Sequence, residues 1–273
     1  MVFIAAGGST SKALAPEAVK RGAVVIDKSS TFRMDPAVPL VVPEVNGDDI
    51  RNHQGIISNP NCSTIQLVVA LDPLHRVNPI KRIIVDTYQS ASGAGAQGYL
   101  DLFQQTRDSL ADQEPTSDTF HHPLAFNAIP QIDVFGDEGY TGEEWKMQDE
   151  TQRILHQPEL PVSATCVRIP VPISHSEAAH IEFTHSMSAQ EAREILGKSA
   201  GISVIDNPDE KKYPLARDAA DTDDVFVGRI RRDLAFDNGL SMWIVADNIR
   251  KGAALNAVQI AEAVVRIDGN FKE

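Results

Sequence analysis

Cys62 is the side chain here whose setting points most directly to covalent chemistry. It lies in the polar run Asn59-Pro60-Asn61-Cys62-Ser63-Thr64, where a short apolar strand gives way to a helix. A thiol at that turn faces backbone N–H groups and the positive end of the helix dipole, which favour thiolate. The expected role is a nucleophile that forms a covalent intermediate on sulfur. Most cysteines are simply small buried hydrophobes; Cys166, inside the strand-like run Ala164–Val171, reads that way.

A nucleophilic thiol needs a proton acceptor, and the chain has eight histidines. His175 stands out because it follows Arg168-Ile169-Pro170-Val171-Pro172-Ile173-Ser174, a strand end punctuated by proline. Arg168 is a charge in an otherwise apolar run, expensive there unless it meets a ligand. Sequence by itself does not bring His175 near Cys62. His53, His75 and His156 read as surface residues, and His180 and His185 as strand or strand-end residues. His121 and His122 are adjacent and share no face, and no Cys or carboxylate spacing supports them, so no metal site is expected.

Gly93-Ala94-Gly95-Ala96-Gln97-Gly98 fits a G-x-G-x-x-G pattern, but a dinucleotide fingerprint also needs a second strand with an acidic end about 20 residues later. Thr106–Thr119 is polar and contains Pro115. The glycines read instead as backbone that approaches a ligand closely. Glu143-Glu144-Trp145-Lys146 opens a helix expected to run to His156. Glutamates in a first turn are ordinary dipole compensation, whereas Lys146 is less favourable there and could serve an anion. Asp247-Asn248-Ile249-Arg250-Lys251-Gly252 leads into the last helix as a plain cap or a ligand loop.

The elements that hold these residues begin with α/β alternation. Val2–Ala6, Ala23–Asp27 and Gly55–Ser58 read as strands. A helix over Lys12–Arg21 is expected to be capped by Ser9-Thr10-Ser11 and stopped by Gly22. The polar loop Lys28–Arg33 follows the second strand, at the carboxyl end where open sheets place ligands. Pro36–Pro43 is too broken for a central strand. Ile65, Leu67, Val68 and Leu71 recur at helical spacing up to Pro73. Arg82–Tyr88, Thr165–Val171, His180–Thr184, Val225–Ile230 and Leu240–Ala246 read as strands of a mixed α+β region. Asp206–Asp224 is charge-rich and reads as a solvated excursion. Ala253, Leu255, Val258, Ile260, Ala261, Val264 and Val265 form the apolar stripe of a final helix.

Composition bounds the function. The 273 residues carry 25 Lys and Arg against 38 Asp and Glu, a net charge of −13, with 42% hydrophobic and 23% charged residues. That is ordinary for a soluble globular chain of one or two domains. The acidic balance and the absence of a long basic run argue against nucleic acid. No segment approaches the roughly 20 apolar residues of a membrane helix. The start has no basic n-region. Two cysteines make no disulfide framework, so a reducing cytoplasm is the expected compartment.

Taken in order, several motifs together resemble the aspartate-semialdehyde dehydrogenase family. They are Gly7-Gly8-Ser9-Thr10-Ser11-Lys12; Ser29-Ser30-Thr31-Phe32-Arg33-Met34-Asp35; Val41-Val42-Pro43-Glu44-Val45-Asn46; Asn59-Pro60-Asn61-Cys62; Tyr88-Gln89-Ser90-Ala91-Ser92-Gly93; Phe126-Asn127 with Ile129-Pro130-Gln131-Ile132-Asp133; Glu143 to Lys146; Arg168-Ile169-Pro170-Val171; and Asp247-Asn248 with Arg250-Lys251-Gly252-Ala253-Ala254-Leu255-Asn256. The resemblance implies NADP-dependent interconversion of L-aspartyl 4-phosphate and L-aspartate 4-semialdehyde plus inorganic phosphate, in lysine, threonine and methionine biosynthesis. It implies Cys62 as nucleophile and His175 as general base. Gln89 would position the substrate, Arg168 would grip its carboxylate, and Glu143 would face its amino group. Arg33, Asn61 and Lys146 fall at phosphate-binding positions, and Gly7, Ser92, Gly93 and Asn248 at cofactor-binding positions.

The implied fold is α/β. It has an incomplete Rossmann-like parallel-sheet domain over 1–62, an α+β catalytic and dimerisation domain over 63–246, and a C-terminal helix over 247–273 returning to the first. A homodimer or homotetramer is implied. The family's G-x-x-G-x-x-G loop and the residues facing the adenosine 2′-phosphate would precede Val2, a stretch of roughly 60 residues on the size of βαβ units. Cofactor binding by the polypeptide as written is therefore expected to be weakened. Competing readings are an N-acyl-glutamyl-phosphate reductase, a Cys-His hydrolase that would leave Arg33 and Lys146 unexplained, and a chain that only folds and oligomerises.

Overall fold

Two sheets carry the site. In the computed structural model, which describes residues 1–267, strands β1 (Val2–Ile4), β2 (Val25–Asp27) and β3 (Ile56–Ser58) pair in that order, all parallel. Helix α1 (Gly8–Lys20) connects β1 to β2, and the short α2 (Pro43–Asn46) lies in the Pro-spaced connection to β3. Helix α3 (Cys62–Val77) leaves β3 through the Cys62 turn.

The second sheet contains β4 (Ile80–Gln89), β5 (Val162–Arg168), β6 (His175–Phe183), β7 (Ile202–Val204), β8 (Val225–Arg232) and β9 (Gly239–Ala246). Their order is β5-β4-β6-β9-β8-β7, with β4/β5 and β7/β8 parallel and the rest antiparallel. Helices α4 (Gly95–Leu110), α5 (Gly142–Ile154), α6 (Ala189–Leu196) and α7 (Ala216–Ala219) fall between these strands. Helix α8 (Leu255–Ile267) closes the described chain; the last six residues of the expected 247–273 segment lie outside it.

The main core forms where α3, α5 and α6 cover one face of the six-stranded sheet, with Ile65, Leu67, Leu71, Met147 and Leu196 against Ile83, Ile181 and Ile244. The opposite face presents exposed Ile84 and half-buried Tyr88 and Trp243, whose rings pack 5.3 Å apart. A second core joins the first sheet to the end of the described chain: Ala257, Ile260 and Val264 of α8 pack on Ile26, Val41, Ile50 and Ile57. Met1, Val2 and Phe3 are exposed.

Several sequence expectations need correction. Helix α1 starts at Gly8, and no side chain caps it; Ser11 instead donates to the buried Asp27 carboxylate at 2.6 Å. The α3 pattern does not stop at Pro73. The helix absorbs the lost N–H and runs to Val77, because its apolar face stays buried on both sides of the proline. The strand expected over His180–Thr184 begins at His175, so His175 is a strand residue, paired across to Ala246. The excursion from Asp206 is anchored. The Asp206 carboxylate accepts from Arg193 and from the backbone N–H groups of Arg229 and Ile230.

Candidate active site

Between the carboxyl ends of the first sheet and the β4–β5–β6 end of the second lies a cavity of about 780 Å³. Cys62 lines it as the first residue of α3. Asn61 is the N-cap: its Oδ1 accepts from the N–H groups of Ser63 (3.0 Å) and Thr64 (3.2 Å). The expected lowering of the thiol pKa does not hold in this state. Burial, then the charge of Glu143, push it up to about 12, against opposing pulls from Arg168, Arg33 and the Ser63 N–H.

Glu143 ties the polar groups together. It sits in the first turn of α5, whose start is fixed by a Thr141/Glu144 capping box. Its buried carboxylate accepts from Asn61 Nδ2 (2.8 Å), Gln89 Nε2 (3.2 Å) and Lys146 Nζ (3.3 Å). Lys146 also pairs with Asp133 at 2.6 Å. Burial opposes the Lys146 charge, but Glu143 and Asp133 outweigh it and raise its pKa.

Sheet register brings the next pair together: Gln89 ends β4 directly opposite Arg168, which ends β5. The Arg168 guanidinium is buried, which lowers its pKa, and donates to the Ser90 carbonyl at 2.7 Å. Arg33 reaches in from the loop after β2, bonded to Glu150 at 2.9 Å and to the Lys28 carbonyl at 3.0 Å.

His175 lies just behind this wall, fully buried. Its Nδ1 accepts from the Ser90 backbone N–H at 3.0 Å, while Nε2 has no hydrogen-bond partner among the described residues. Burial and the Arg168 charge hold its pKa well below the usual histidine range, so it is neutral. With Nδ1 accepting, the proton is assigned to Nε2. Gly93 makes the close approach possible: a Cβ there would sit 2.5 Å from Arg168 Nη1 and 3.1 Å from His175 Nε2.

One cavity thus joins a thiol, a buried guanidinium, a carboxylate wired to an amide, and further cations. Models described as the semialdehyde dehydrogenase NAD binding domain and the semialdehyde dehydrogenase dimerisation domain match residues 1–53 and 71–251. An aspartate-semialdehyde dehydrogenase of Aquifex aeolicus is 55% identical over 97% of this chain and 79% of its own length. The chain belongs to the aspartate-semialdehyde dehydrogenase family. The Bacillus subtilis enzyme of that name is 49% identical, over 98% of this chain and 80% of its own. The crystal structure of the Vibrio cholerae aspartate semialdehyde dehydrogenase II complexed with ASA superposes with a TM-score of 0.95. It is 47% identical and covers 97% of this chain and 79% of that one. The Candida albicans enzyme, solved with NADP, is 25% identical with a TM-score of 0.76, and covers 99% of this chain and 78% of its own.

Of the residues the family resemblance singled out, Cys62, Gln89, Glu143, Arg168, Arg33, Asn61, Lys146, Ser92, Gly93 and Asn248 all line the cavity. His175 borders it through Gly93. Gly7 does not line it; it is the exposed N-cap of α1. The loop before α8 divides its labour. Asp247 pins the turn, accepting from the N–H groups of Ile249 and Arg250, and Asn248 is the cavity residue. Asn248 Oδ1 accepts from Ser90, Ser92 and the Ser174 N–H. The Gly93–Gly98 run is not a dinucleotide loop: Gly93 lies in a 3-10 turn and Gly95 starts α4.

Sequence reasoning missed Lys28, Ser30 and Glu150. The first two line the cavity from a loop whose position had drawn notice but whose members, Arg33 apart, had not. Glu150 gave no signal, being one more glutamate on a helix; it accepts from the Asn61 N–H at 2.6 Å as well as from Arg33. Among the described residues no His, Cys, Asp or Glu cluster could hold a metal, and no helix is long and apolar enough to cross a membrane.

Proposed function

We propose that this chain interconverts L-aspartyl 4-phosphate and L-aspartate 4-semialdehyde plus inorganic phosphate, with NADP as redox partner and an acyl thioester on Cys62. The observation that carries the reading is the shared cavity of Cys62, Gln89, Glu143 and Arg168 with the cations Arg33 and Lys146. Arg168 presents a planar donor set suited to the substrate carboxylate, and Glu143 offers a carboxylate to its ammonium. Asn61, Arg33 and Lys146 serve the phosphate.

Cys62 sulfur bonds to the aldehyde carbon as the thiol proton leaves to water, and the negative charge moves to the carbonyl oxygen. His175 holds a proton at Nε2, so its first part is to donate a hydrogen bond to that oxygen; base action at Nε2 needs the other tautomer. Gly93, Ser92 and Asn248 fit the nicotinamide end, since all three line the cavity and Asn248 and Ser92 carry amide and hydroxyl groups at its wall. The cofactor supplies the hydride acceptor. Arg33 and Lys146 then hold phosphate against the Cys62 thioester; its oxygen bonds to the acyl carbon as the carbon–sulfur bond breaks. The face bearing Ile84, Tyr88 and Trp243 is where a second subunit would dock.

The test is phosphate-dependent NADP reduction by L-aspartate 4-semialdehyde, with Cys62→Ser as control. Wild-type turnover at NADP concentrations high enough to offset the weakened cofactor binding expected from the sequence, and its loss in a Ser variant with an unchanged circular dichroism spectrum, are expected. Substantial activity in the Ser variant would overturn the covalent reading.

A further inference from the structure

Four cationic side chains line the cavity: Lys28, Arg33, Lys146 and Arg168. Three are already engaged. Arg33 pairs with Glu150, Lys146 with Asp133 and Glu143, and Arg168 donates to the Ser90 carbonyl beside Glu143. Lys28 is different. Among the described residues its ammonium makes no ion pair and no hydrogen bond, although the side chain is half-buried and burial lowers its pKa.

The backbone fixes where Lys28 sits. Asp27, fully buried at the end of β2, accepts from the Ser29 N–H and hydroxyl and so pins the turn. The Lys28 carbonyl takes the Arg33 guanidinium, so the two cations rise from one loop. Arg33 Nε is buried with no partner among the described residues. A half-buried ammonium without a counter-ion, next to a guanidinium with an unused donor, is costly unless an anion completes it.

We propose that Lys28 is an additional oxyanion-binding side chain of this site, closing with Arg33 on the inorganic phosphate that attacks the Cys62 thioester. The placement rests on the reaction proposed above. In that step a phosphate oxygen bonds to the acyl carbon, the carbon–sulfur bond breaks, and its electron pair stays on the Cys62 sulfur. Lys28 and Cys62 line the same cavity, so one ammonium can attract the incoming phosphate and favour the departing thiolate. Lys28 and Arg33 are the charged residues this loop gives to the cavity, and among the described residues Lys28 is the one without a counter-ion; Ser30 adds a neutral donor.

The experiment is calorimetric titration of inorganic phosphate into the full chain, without cofactor, for wild type, Lys28→Met and Lys28→Arg. A charge-assisted hydrogen bond predicts that Lys28→Met weakens phosphate binding about 10- to 100-fold. Lys28→Arg should stay within a few-fold of wild type. NADP, titrated separately, should bind both variants as it binds wild type. Equal phosphate affinity in wild type and Lys28→Met, or no phosphate binding by wild type, overturns the proposal. So does a loss confined to NADP, which would assign Lys28 to the cofactor's phosphates. Unchanged unfolding midpoints for the variants exclude a folding defect. Failure of the reaction itself reads out differently, as absent NADP reduction despite Lys28-dependent phosphate binding.

Discussion

The resting state of Cys62 can be tested by its alkylation rate against pH. A thiol with a pKa of about 12 is ionised in about one molecule in 10,000 at pH 8. An ordinary cysteine, near 8.5, is about one-quarter ionised, a ratio of roughly 2,000. The more basic thiolate is intrinsically more nucleophilic, by roughly 40-fold over that span of pKa. The net expectation is iodoacetamide labelling roughly 50-fold slower than for an unperturbed thiol, still rising with pH up to pH 10. Glu143→Gln removes the second cause of the shift and leaves burial, the first. A fall of about one unit is expected, and labelling at pH 8 should quicken about three- to fourfold. The assay is mass-spectrometric labelling of Cys62 in the unliganded chain, with Cys166, fully buried, as internal reference. Half-maximal labelling at or below about pH 8 would refute the reasoning, and would mean that the helix N-terminus outweighs burial.

Two further outcomes test the surroundings. Glu177 is fully buried, both carboxyl oxygens lack partners among the described residues, and burial raises its pKa well above 4.5. The folded chain therefore keeps a proton that the unfolded chain releases, and wild-type stability falls by about 1.4 kcal/mol per pH unit from about pH 4.5 up to the folded pKa. Glu177→Gln should remove that slope in urea unfolding at pH 5 and pH 8; equal slopes in both proteins would count against it. Gly93→Ala would force a Cβ to within 2.5 Å of Arg168 Nη1 and 3.0 Å of His175 Cε1. Displacement of these groups should cost about 100-fold in kcat/KM with the circular dichroism unchanged. A fully active alanine variant would show that they are not held as described.

The strands other than β7, the Cys62 turn and the last helix are legible because each has a strong local cause: an apolar run, a proline, a cap or a 3.6-residue stripe; β7 is three residues long and gives no such signal. What escaped depends on contacts across the chain. The start of β6 at His175 is set by pairing with β4 and β9, and its proline-rich approach hides that. Asn61 takes the helix donors through its side chain, which a sequence spacing does not reveal. Glu150 lies 117 residues from Arg33 and 89 from Asn61, yet accepts from both. Lys28 carries no sequence signal, because a lysine in a polar loop is ordinary; what distinguishes it is that the cations beside it are paired and, among the described residues, it is not.

Charge placement gives these observations a common logic. Glu143 and Glu150 compensate Lys146 and Arg33 in the resting cavity, and burial, reinforced by the same Glu143, keeps Cys62 protonated. A nucleophile held neutral by burial and a carboxylate is not ionised by the protein alone. The ionisation must come from what enters, and on the reaction proposed here each ligand brings a suitable charge. An ammonium against Glu143 offsets the second of the two causes that raise the thiol. A phosphate between Arg33 and Lys28 satisfies donors the protein leaves unused. The acidic net charge of the chain does not oppose this, because binding is decided by cations placed at the site.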